Sequence, residues 1–291
     1  MKRRSSVIVR KRPKLLSTSP RRATYDVRRL RIGIIGAGQM GAALAAVWAH
    51  RHHVAVFDVD RAKGRRLAHR CSAQVASDLL SLAASSGVML LAVKPQDLDE
   101  LLRQLSSLCG ARHLVISIAA GVTTRRIEQQ LGRGSRIVRV MPNLAARVGA
   151  GMASLSRGRW ATVGDLRTVG QLFDAVGRSA VVPERLVDAV TAISGSGPAY
   201  YFLLTAHLEA AARRLGLPSS LARRLAVQTL IGSGAVVCGE SDVNPALLVK
   251  AVASRGGTTE AALAVFDRRQ LGLIVTEAVQ AAQRRARQLS R

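Results

Sequence analysis

Aromatic residues are scarce in this sequence: Phe, Trp and Tyr together account for 3% of its 291 residues. Proteins that bind single-stranded nucleic acid stack bases on aromatic rings, so this scarcity argues against that class of protein. Cysteine is also rare, and Cys71, Cys109 and Cys238 lie far apart in the chain. Isolated cysteines in an odd number predict neither a disulfide framework nor a structural zinc site, and they suit a reducing cytoplasm.

Long apolar runs are missing as well. No run approaches the roughly 20 residues that a membrane helix needs, and we therefore expect no membrane-spanning segment. No apolar stretch follows the first basic residues, so we expect no secretory signal either. With 48% hydrophobic and 21% charged residues, the composition is that of a globular protein. A length of 291 residues predicts two domains, at roughly 150 residues each.

Acidic residues are few: 18 Asp and Glu stand against 44 Lys and Arg, a net charge of +26. Such an excess is typical of nucleic-acid-binding proteins. However, residues 1–31 alone hold twelve basic residues and one acid, Asp26. We interpret residues 1–30 as a disordered basic arm, either an extended start upstream of the folded domain or a segment like an organelle transit peptide. The other basic residues fall on predicted helix faces, so specific nucleic-acid binding is not expected.

The secondary-structure pattern divides the chain into two parts. Residues 31–183 alternate short β-branched runs with helical stretches, which predicts an α/β domain with a parallel sheet. Residues 184–291 carry helical patterns only, which predicts an all-helical domain. The segment 221–238 is apolar nearly all round, so we expect it to be buried, for example against a second copy of the chain. The predicted strands are 30–35, 53–58, 87–93, 113–118, 136–141 and 179–182, and the predicted helices are 40–50, 62–70, 97–107, 123–131, 198–215, 220–240, 245–253 and 259–291.

A glycine-rich turn opens the first part. Residues 36–41 read Gly-Ala-Gly-Gln-Met-Gly, between a predicted strand and a predicted helix. In this context the GxGxxG pattern predicts a Rossmann-type dinucleotide site, in which the glycines allow a tight turn, a close approach to pyrophosphate and close helix packing. The N–H groups at the start of the helix then bind the phosphates.

Asp58 ends the second predicted strand, where an acidic residue binds the adenosine ribose in NAD-dependent proteins. This residue favours NADH, because its charge repels a 2′-phosphate. Arg61 and Lys63 follow at once and could hold that phosphate if Asp58 turned away. The sequence therefore leaves the choice between NADH and NADPH open.

Two further glycine-rich segments precede helices in the second part. Residues 194–199 read Ser-Gly-Ser-Gly-Pro-Ala, and residues 254–259 read Ser-Arg-Gly-Gly-Thr-Thr. Serine and threonine at such positions usually act as simple helix caps. Two such segments in a cofactor-dependent chain, each with N–H groups at a helix start, indicate recognition of a small carboxylate substrate.

These motifs, in this order and spacing, resemble the pyrroline-5-carboxylate reductase family over residues 31–289. The shared motifs are residues 36–41, 91–96, 117–122, 139–143, 194–199 and 254–259. The resemblance implies reduction of 1-pyrroline-5-carboxylate to L-proline with NADPH or NADH, the last step of proline biosynthesis. It further implies a helical domain that interlocks with that of a partner subunit in at least a dimer, and a cytoplasmic enzyme with no membrane partner.

The candidate site residues follow from the turn, the strand ends and the resemblance. The candidate catalytic residues are Thr259, which the resemblance places on the ring nitrogen, and Lys94. Substrate binding is assigned to Ser254, Gly257, Thr258 and Asn143. Cofactor binding is assigned to Gly36, Gly38, Gln39, Met40, Gly41, Asp58, Arg61, Ala92, Lys94 and Pro95. Hydride transfer to a C=N bond needs no metal ion, and no metal site is expected.

Other functions remain compatible with the sequence. The chain could be a related Rossmann reductase that acts on another cyclic imine or keto acid, or a catalytically weak paralogue whose basic arm binds polyanions. Leu144-Ala145 replaces the Thr-Pro that is common in the family, and Arg255 replaces a frequent proline. These departures bear on the substrate and the turnover more than on the fold.

Overall fold

The computed structural model describes residues 29–239 and 243–290. Within them the chain forms two compact units. We call residues 29–203 with 269–290 the sheet unit, and residues 204–239 with 243–268 the helical unit. The predicted basic arm lies outside the described residues except at its end, where the Leu30 carbonyl accepts a 2.9 Å hydrogen bond from the His53 N–H.

The sheet unit is built on one eight-stranded sheet with the order β3-β2-β1-β4-β5-β6-β7-β8. Its strands are β1 Arg31–Ile35, β2 His53–Phe57, β3 Gln74–Val75, β4 Val88–Leu91, β5 Leu114–Ser117, β6 Arg136–Met141, β7 Gly151–Arg157 and β8 Gly177–Val181. The predicted α/β fold class is confirmed. The strand order reverses between β1 and β4, and open α/β sheets bind their ligands at such a point, beyond the carboxyl ends of the strands.

Two strands depart from the expected parallel arrangement. Strand β7 pairs antiparallel with β6, and β8 pairs parallel with β7, so both run opposite to β1–β6. The sequence pattern missed β7 because its residues, Gly-Met-Ala-Ser-Leu-Ser-Arg, include few β-branched or large apolar side chains. It missed β3 because that strand is two exposed residues long. Both additions lie towards the edges of the sheet.

Helices cover both faces of the sheet, as in a doubly wound fold. They are α1 Gln39–Trp48, α2 Arg61–Cys71, α3 Leu79–Ser85, α4 Pro95–Leu105, α5 Thr124–Leu131, α6 Val163–Asp174 and the single turn α7 Val187–Val190. The sheet unit has two clusters of buried apolar side chains. One contains side chains of α1, α2 and α6, and the other contains side chains of α3, α4 and α5. On the first face the Trp48 indole donates a 2.8 Å hydrogen bond to the Leu172 carbonyl and packs edge-on against Phe173. This contact joins α1, which begins at the glycine-rich turn, to α6.

The remaining helices follow residue 196. They are α8 Gly197–Arg214, α9 Ser219–Gly239, α10 Pro245–Val252, α11 Thr258–Arg268 and α12 Leu271–Leu289. The division between the two units falls inside α8, and α12 belongs to the sheet unit. The expectation of one helix from residue 259 onwards is wrong, because Gln270 adopts a left-handed conformation (φ 53°) that separates α11 from α12.

Helix α9 leaves most of its apolar surface uncovered. Ala222 and Ala226 are its buried residues, whereas Leu225, Val236 and Val237 are each about half exposed. The burial expected for this segment is therefore not supplied by its own chain. By length and composition, α9 could also cross a membrane, contrary to our expectation, although core helices of other proteins pass the same test. These side chains would be buried only by contact with another surface.

A buried ion pair ties β6 to the segment after β8. The Arg139 guanidinium donates a 3.2 Å hydrogen bond to Glu184 Oε1, and the Arg139 side chain is 5% exposed. The same carboxylate accepts hydrogen bonds from the N–H and the hydroxyl of Thr124, at 2.8 and 2.7 Å. Because Thr124 begins α5, one carboxylate joins three segments of the sheet unit.

We predict that Glu184→Gln lowers the free energy of unfolding by about 3 kcal/mol, because it leaves the buried charge of Arg139 uncompensated. Urea unfolding followed by tryptophan fluorescence at fixed protein concentration measures the change. The control is Asp99→Asn, which breaks the exposed ion pair with Arg126 and should cost at most about 1 kcal/mol. Equal losses in the two variants would contradict this account.

Candidate active site

The glycine-rich turn lies against the backbone that follows β4. Gly36 has φ 105°, and a Cβ on it would come within 2.5 Å of the Ala92 carbonyl oxygen. A Cβ on Gly41 would collide with the Gly36 carbonyl and lie 3.3 Å from Ala92 Cβ. Glycine at these two positions therefore lets the start of α1 approach the carboxyl ends of β1 and β4.

Gly38 plays a different part. No described atom lies within 4 Å of the position that its Cβ would take, so the space above it is open. Gly38 is the N-cap of α1 and contributes no side-chain hydrogen bond to the helix. The first N–H groups of α1 have no partner inside the helix, and they face this space with the positive end of the helix dipole. The turn at Gly36–Gly41 therefore fits the pyrophosphate of a dinucleotide.

Asp58 is turned towards the glycine-rich turn. Its Oδ2 accepts a 2.7 Å hydrogen bond from the Ala37 N–H, and its Oδ1 accepts a 2.8 Å hydrogen bond from the Asp60 N–H. Both carboxylate oxygens are thus engaged by the main chain, and they hold the turn in place. Asp60 in turn caps α2 and pairs with Lys63 at 3.6 Å. A backbone hydrogen bond from Lys63 lowers the pKa of Asp60, because it stabilises the ionised carboxylate.

The strand register brings the other predicted cofactor residues to the same edge. Ile35 is level with Leu91, and Leu91 with Ser117, so the segments after β1, β4 and β5 begin side by side. Lys94 is exposed here as the N-cap of α4, with Pro95 as the first helical residue. The side chains of Gln39 and Arg61 are exposed, and Met40 is half-buried. The cofactor residues named from the sequence therefore lie together at this edge.

Asn143 lies two residues after the end of β6, and its side chain is hydrogen-bonded within the protein. Its amide nitrogen donates a 3.1 Å hydrogen bond to the Ser194 carbonyl, and its amide oxygen accepts one of 3.1 Å from the Met152 N–H. Ser194 belongs to a π-helical turn, Thr191–Gly195, in which a Cβ on Gly195 would come within 3.0 Å of Met141 Cε. Asn143 thereby connects β6, β7 and the first of the two glycine-serine segments.

The second glycine-serine segment lies in the helical unit. Gly256 has φ 71°, and its N–H donates a 2.7 Å hydrogen bond to Glu260, while the Gly257 N–H bonds the Ser254 carbonyl at 3.0 Å. These bonds shape the turn before α11. Ser254 and Thr258 are exposed, and Gly257 and Thr259 are half-buried. The N–H groups in the first turn of α11 have no helical partner, so this segment is suited to bind a carboxylate.

Sequence reasoning missed two features of the sheet unit. One is the Arg139–Glu184–Thr124 cluster. The sequence offered one sign of it, since Arg139 stands inside the apolar run of β6 and a buried arginine needs an acidic partner. The other is Arg65, one turn after Arg61 on α2, which lines a crevice with Asp58. Burial raises the pKa of Cys109 to about 11, so this thiol is not suited to act as a nucleophile. Among residues 29–239 and 243–290, no cluster of three or more His, Cys, Asp or Glu side chains could hold a metal ion.

Known proteins match this chain along nearly its whole length. A pyrroline-5-carboxylate reductase from Synechocystis is 39% identical over 269 residues, which cover 90% of this chain and 99% of that protein. This chain belongs to the pyrroline-5-carboxylate reductase family. A reductase of the same name from Mycobacterium leprae is 38% identical over 89% of this chain and 96% of that protein. The resemblance inferred from the motifs is confirmed.

Solved structures and family models agree with this assignment. A pyrroline-5-carboxylate reductase from Coxiella burnetii superposes with a TM-score of 0.85 at 32% identity, covering 91% of this chain and all of that one. A pyrroline carboxylate reductase from Plasmodium falciparum, solved with NADP bound, has a TM-score of 0.80 at 27% identity, covering 90% and 98%. Residues 184–289 match the family model for pyrroline-5-carboxylate reductase dimerisation, and residues 31–121 match a model described as NADP oxidoreductase, coenzyme F420-dependent. The dimerisation match supports a homo-oligomer.

Replacing Gly38 or Gly41 by alanine should affect different properties of the protein. Gly38→Ala should cost less than about 1 kcal/mol of stability, as at other N-caps, yet lower NADPH affinity at least about tenfold by filling the open space. Gly41→Ala should destabilise the fold by about 1–3 kcal/mol, because its Cβ meets backbone. Thermal melts and NADPH titrations separate the two effects. A Gly38→Ala protein with unchanged NADPH affinity would refute the location of the pyrophosphate.

Proposed function

We propose that this chain reduces 1-pyrroline-5-carboxylate to L-proline with NAD(P)H, the reaction of its family. The observation that carries the proposal is the Gly36–Gly41 turn at the point of strand-order reversal, where Gly38 leaves room for a dinucleotide. Membership of the family identifies the substrate. When bound, the nicotinamide dinucleotide supplies the hydride that reduces the C=N bond.

The protein's part in holding the cofactor is assigned to the turn and the strand ends. Gly36, Gly38, Gln39, Met40 and Gly41 bind the pyrophosphate through the turn and the first N–H groups of α1. Ala92, Lys94 and Pro95 line the nicotinamide side. Lys94 contributes a positive charge that attracts an acidic substrate towards this edge.

The substrate carboxylate is assigned to the segment before α11. Ser254, Gly257 and Thr258 bind it with hydroxyl and N–H donors at the positive end of the helix dipole. The Thr259 hydroxyl donates a hydrogen bond to the ring nitrogen and holds the imine in place while the carbon of the C=N bond is reduced. Asn143, whose side-chain amide bonds Ser194 and Met152, supports the substrate side by holding the first glycine-serine segment.

The proposal extends to the organisation of the chain. Residues 31–183 are assigned to dinucleotide binding, and residues 184–291 to the helical domain that interlocks with a partner subunit. The exposed apolar side chains of α9 supply surface for that contact. We assign the protein to the cytoplasm, with no membrane partner and no specific nucleic-acid partner.

Purified protein should oxidise NADPH or NADH in the presence of 1-pyrroline-5-carboxylate, with L-proline as the product. Absorbance at the reduced nicotinamide band follows the cofactor, and amino-acid analysis identifies the product. A panel of other cyclic imines and keto acids serves as the comparison. Folded protein that turns over a panel member but not 1-pyrroline-5-carboxylate would refute the proposed substrate.

Thr259→Ala should lower kcat by about a hundredfold, because it removes the hydroxyl proposed to bind the ring nitrogen. Thr259→Ser, which keeps a hydroxyl, should retain most of the activity. Steady-state kinetics of the two variants, with melting temperatures as a check on folding, measure the difference. Equal losses in the alanine and serine variants would show that the hydroxyl has no special part.

A further inference from the structure

A crevice opens at the amino-terminal edge of the sheet, opposite the edge that carries the glycine-rich turn. It has a volume of about 310 Å³ and lies beside the first residues of β1 and β4, the end of α3 and the turn before β5. Strand β1 begins at Arg31 and ends four residues later at Ile35, so about 13 Å of strand separates the crevice from the turn. The lining residues of the crevice are Arg31, Ala84, Ser85, Ser86, Gly87 and Arg112.

Gly87 keeps this crevice open. A Cβ on Gly87 would meet no described atom within 4 Å, and the residue does not have a positive φ. Its N–H donates a 3.0 Å hydrogen bond to the Arg31 carbonyl, and its own carbonyl accepts one of 2.9 Å from the Leu114 N–H. Neither packing nor backbone conformation therefore requires glycine here. A glycine of this kind at the start of a strand marks a place where a ligand can approach the backbone closely.

Two arginines flank this glycine. Strands β1 and β5 are the two neighbours of β4, so Arg31 and Arg112 approach Gly87 from opposite sides, with main chains roughly 10 Å apart. Both side chains are exposed, and among the described residues neither has an acidic partner within ion-pair distance. No acid lines the crevice. An anion that enters it therefore meets positive charge that no carboxylate neutralises.

Arg112 is held in place by its neighbours. Its guanidinium donates a 3.2 Å hydrogen bond to the Ala83 carbonyl near the end of α3, and its main-chain carbonyl accepts one of 2.8 Å from the Arg136 guanidinium. The Ala83 carbonyl is also 3.0 Å from the His113 ring nitrogen Nε2. These donors offset the negative end of the α3 dipole. Because Arg112 is already ordered, it loses less conformational entropy when it binds a ligand.

The Ser86 hydroxyl offers a further donor. It is buried beside Gly33 and has no hydrogen-bond partner among the residues that the structure describes. Buried polar groups without a partner are uncommon and cost free energy. Since Ser86 lines the crevice, a rotation about its Cα–Cβ bond would let the hydroxyl donate to an anion bound there.

From this arrangement we propose that the crevice binds small phosphate monoesters, at a site separate from that of the cofactor. A monoester phosphate carries nearly two negative charges and three terminal oxygens, so it can accept charge-assisted hydrogen bonds from Arg31 and Arg112 at once. A carboxylate, or a phosphodiester of a nucleic acid, has one charge and two free oxygens and satisfies the pair less well. The rest of the crevice holds the body of a small ester.

Isothermal titration calorimetry of the full-length protein, with and without saturating NADPH, tests the proposal. Glycerol 3-phosphate is the monoester probe, and its methyl ester is the matched phosphodiester. At about pH 8, where the monoester is a dianion, it should bind at least about tenfold more tightly than the diester, with NADPH present or absent. Equal affinities for the two probes, or no monoester binding, would overturn the proposal. Binding that disappears when NADPH is added would place the phosphate in the cofactor site and would also overturn it.

Four variants locate the phosphate. Arg31→Gln and Arg112→Gln should each weaken monoester binding about tenfold, and Gly87→Val should weaken it at least as much by filling the crevice. The matched control is Arg167→Gln, since this exposed arginine lies on α6, against the other face of the sheet, and does not line the crevice. Melting temperatures show whether each variant is folded.

Unchanged binding in the folded crevice variants, or a similar loss in Arg167→Gln, would show general charge attraction and overturn the proposal. If Gly87→Val does not fold, the two arginine variants decide the outcome. None of these titrations contains an imine, so their result stands apart from turnover of 1-pyrroline-5-carboxylate.

Discussion

The contact between the glycine-rich turn and the backbone after β4 is the constraint on which the cofactor site depends. Gly36 and Gly41 let the turn approach Ala92 at a distance that a side chain would prevent. As a result α1 begins at the point where the strand order reverses, and its first N–H groups face the open space above Gly38. Asp58 holds the turn from the other side through the Ala37 N–H. A shift of this turn would move every donor proposed for the pyrophosphate.

Several of the few carboxylates in the sheet unit hold segments of it together. Glu184 neutralises a buried arginine and also bonds the first residue of α5. Asp165 caps α6 together with Thr162 and binds Arg136 on β6 at 2.8 Å. Asp58 and Asp60 hold the turn and the start of α2. With these acids engaged, arginines such as Arg31 and Arg112 remain to attract anions.

Much of the fold could be predicted because its signals are local. The apolar strands β1, β2, β4, β5 and β6 and the glycine turn carry strong patterns in short stretches of chain. Strand β7 escaped prediction because its small residues are buried by neighbours distant in sequence rather than by their own hydrophobicity. The break at Gln270 escaped for a similar reason, since nothing in the local sequence demands a left-handed residue there. The residues named for the cofactor were recognisable, but their hydrogen-bond partners were not.

The motifs of the sequence were enough to predict the fold class, a dinucleotide-binding turn and the family resemblance, because each depends on patterns that short segments carry. The direction in which a side chain points depends on partners that only folding brings near. Asp58, predicted to face a ribose, accepts a hydrogen bond from the Ala37 N–H, 21 residues earlier in the chain. Asn143, predicted to face a substrate, donates a hydrogen bond to the Ser194 carbonyl, 51 residues later. Tertiary structure decided these hydrogen bonds, since a partly buried polar side chain needs partners and the backbone groups that serve here are distant in sequence.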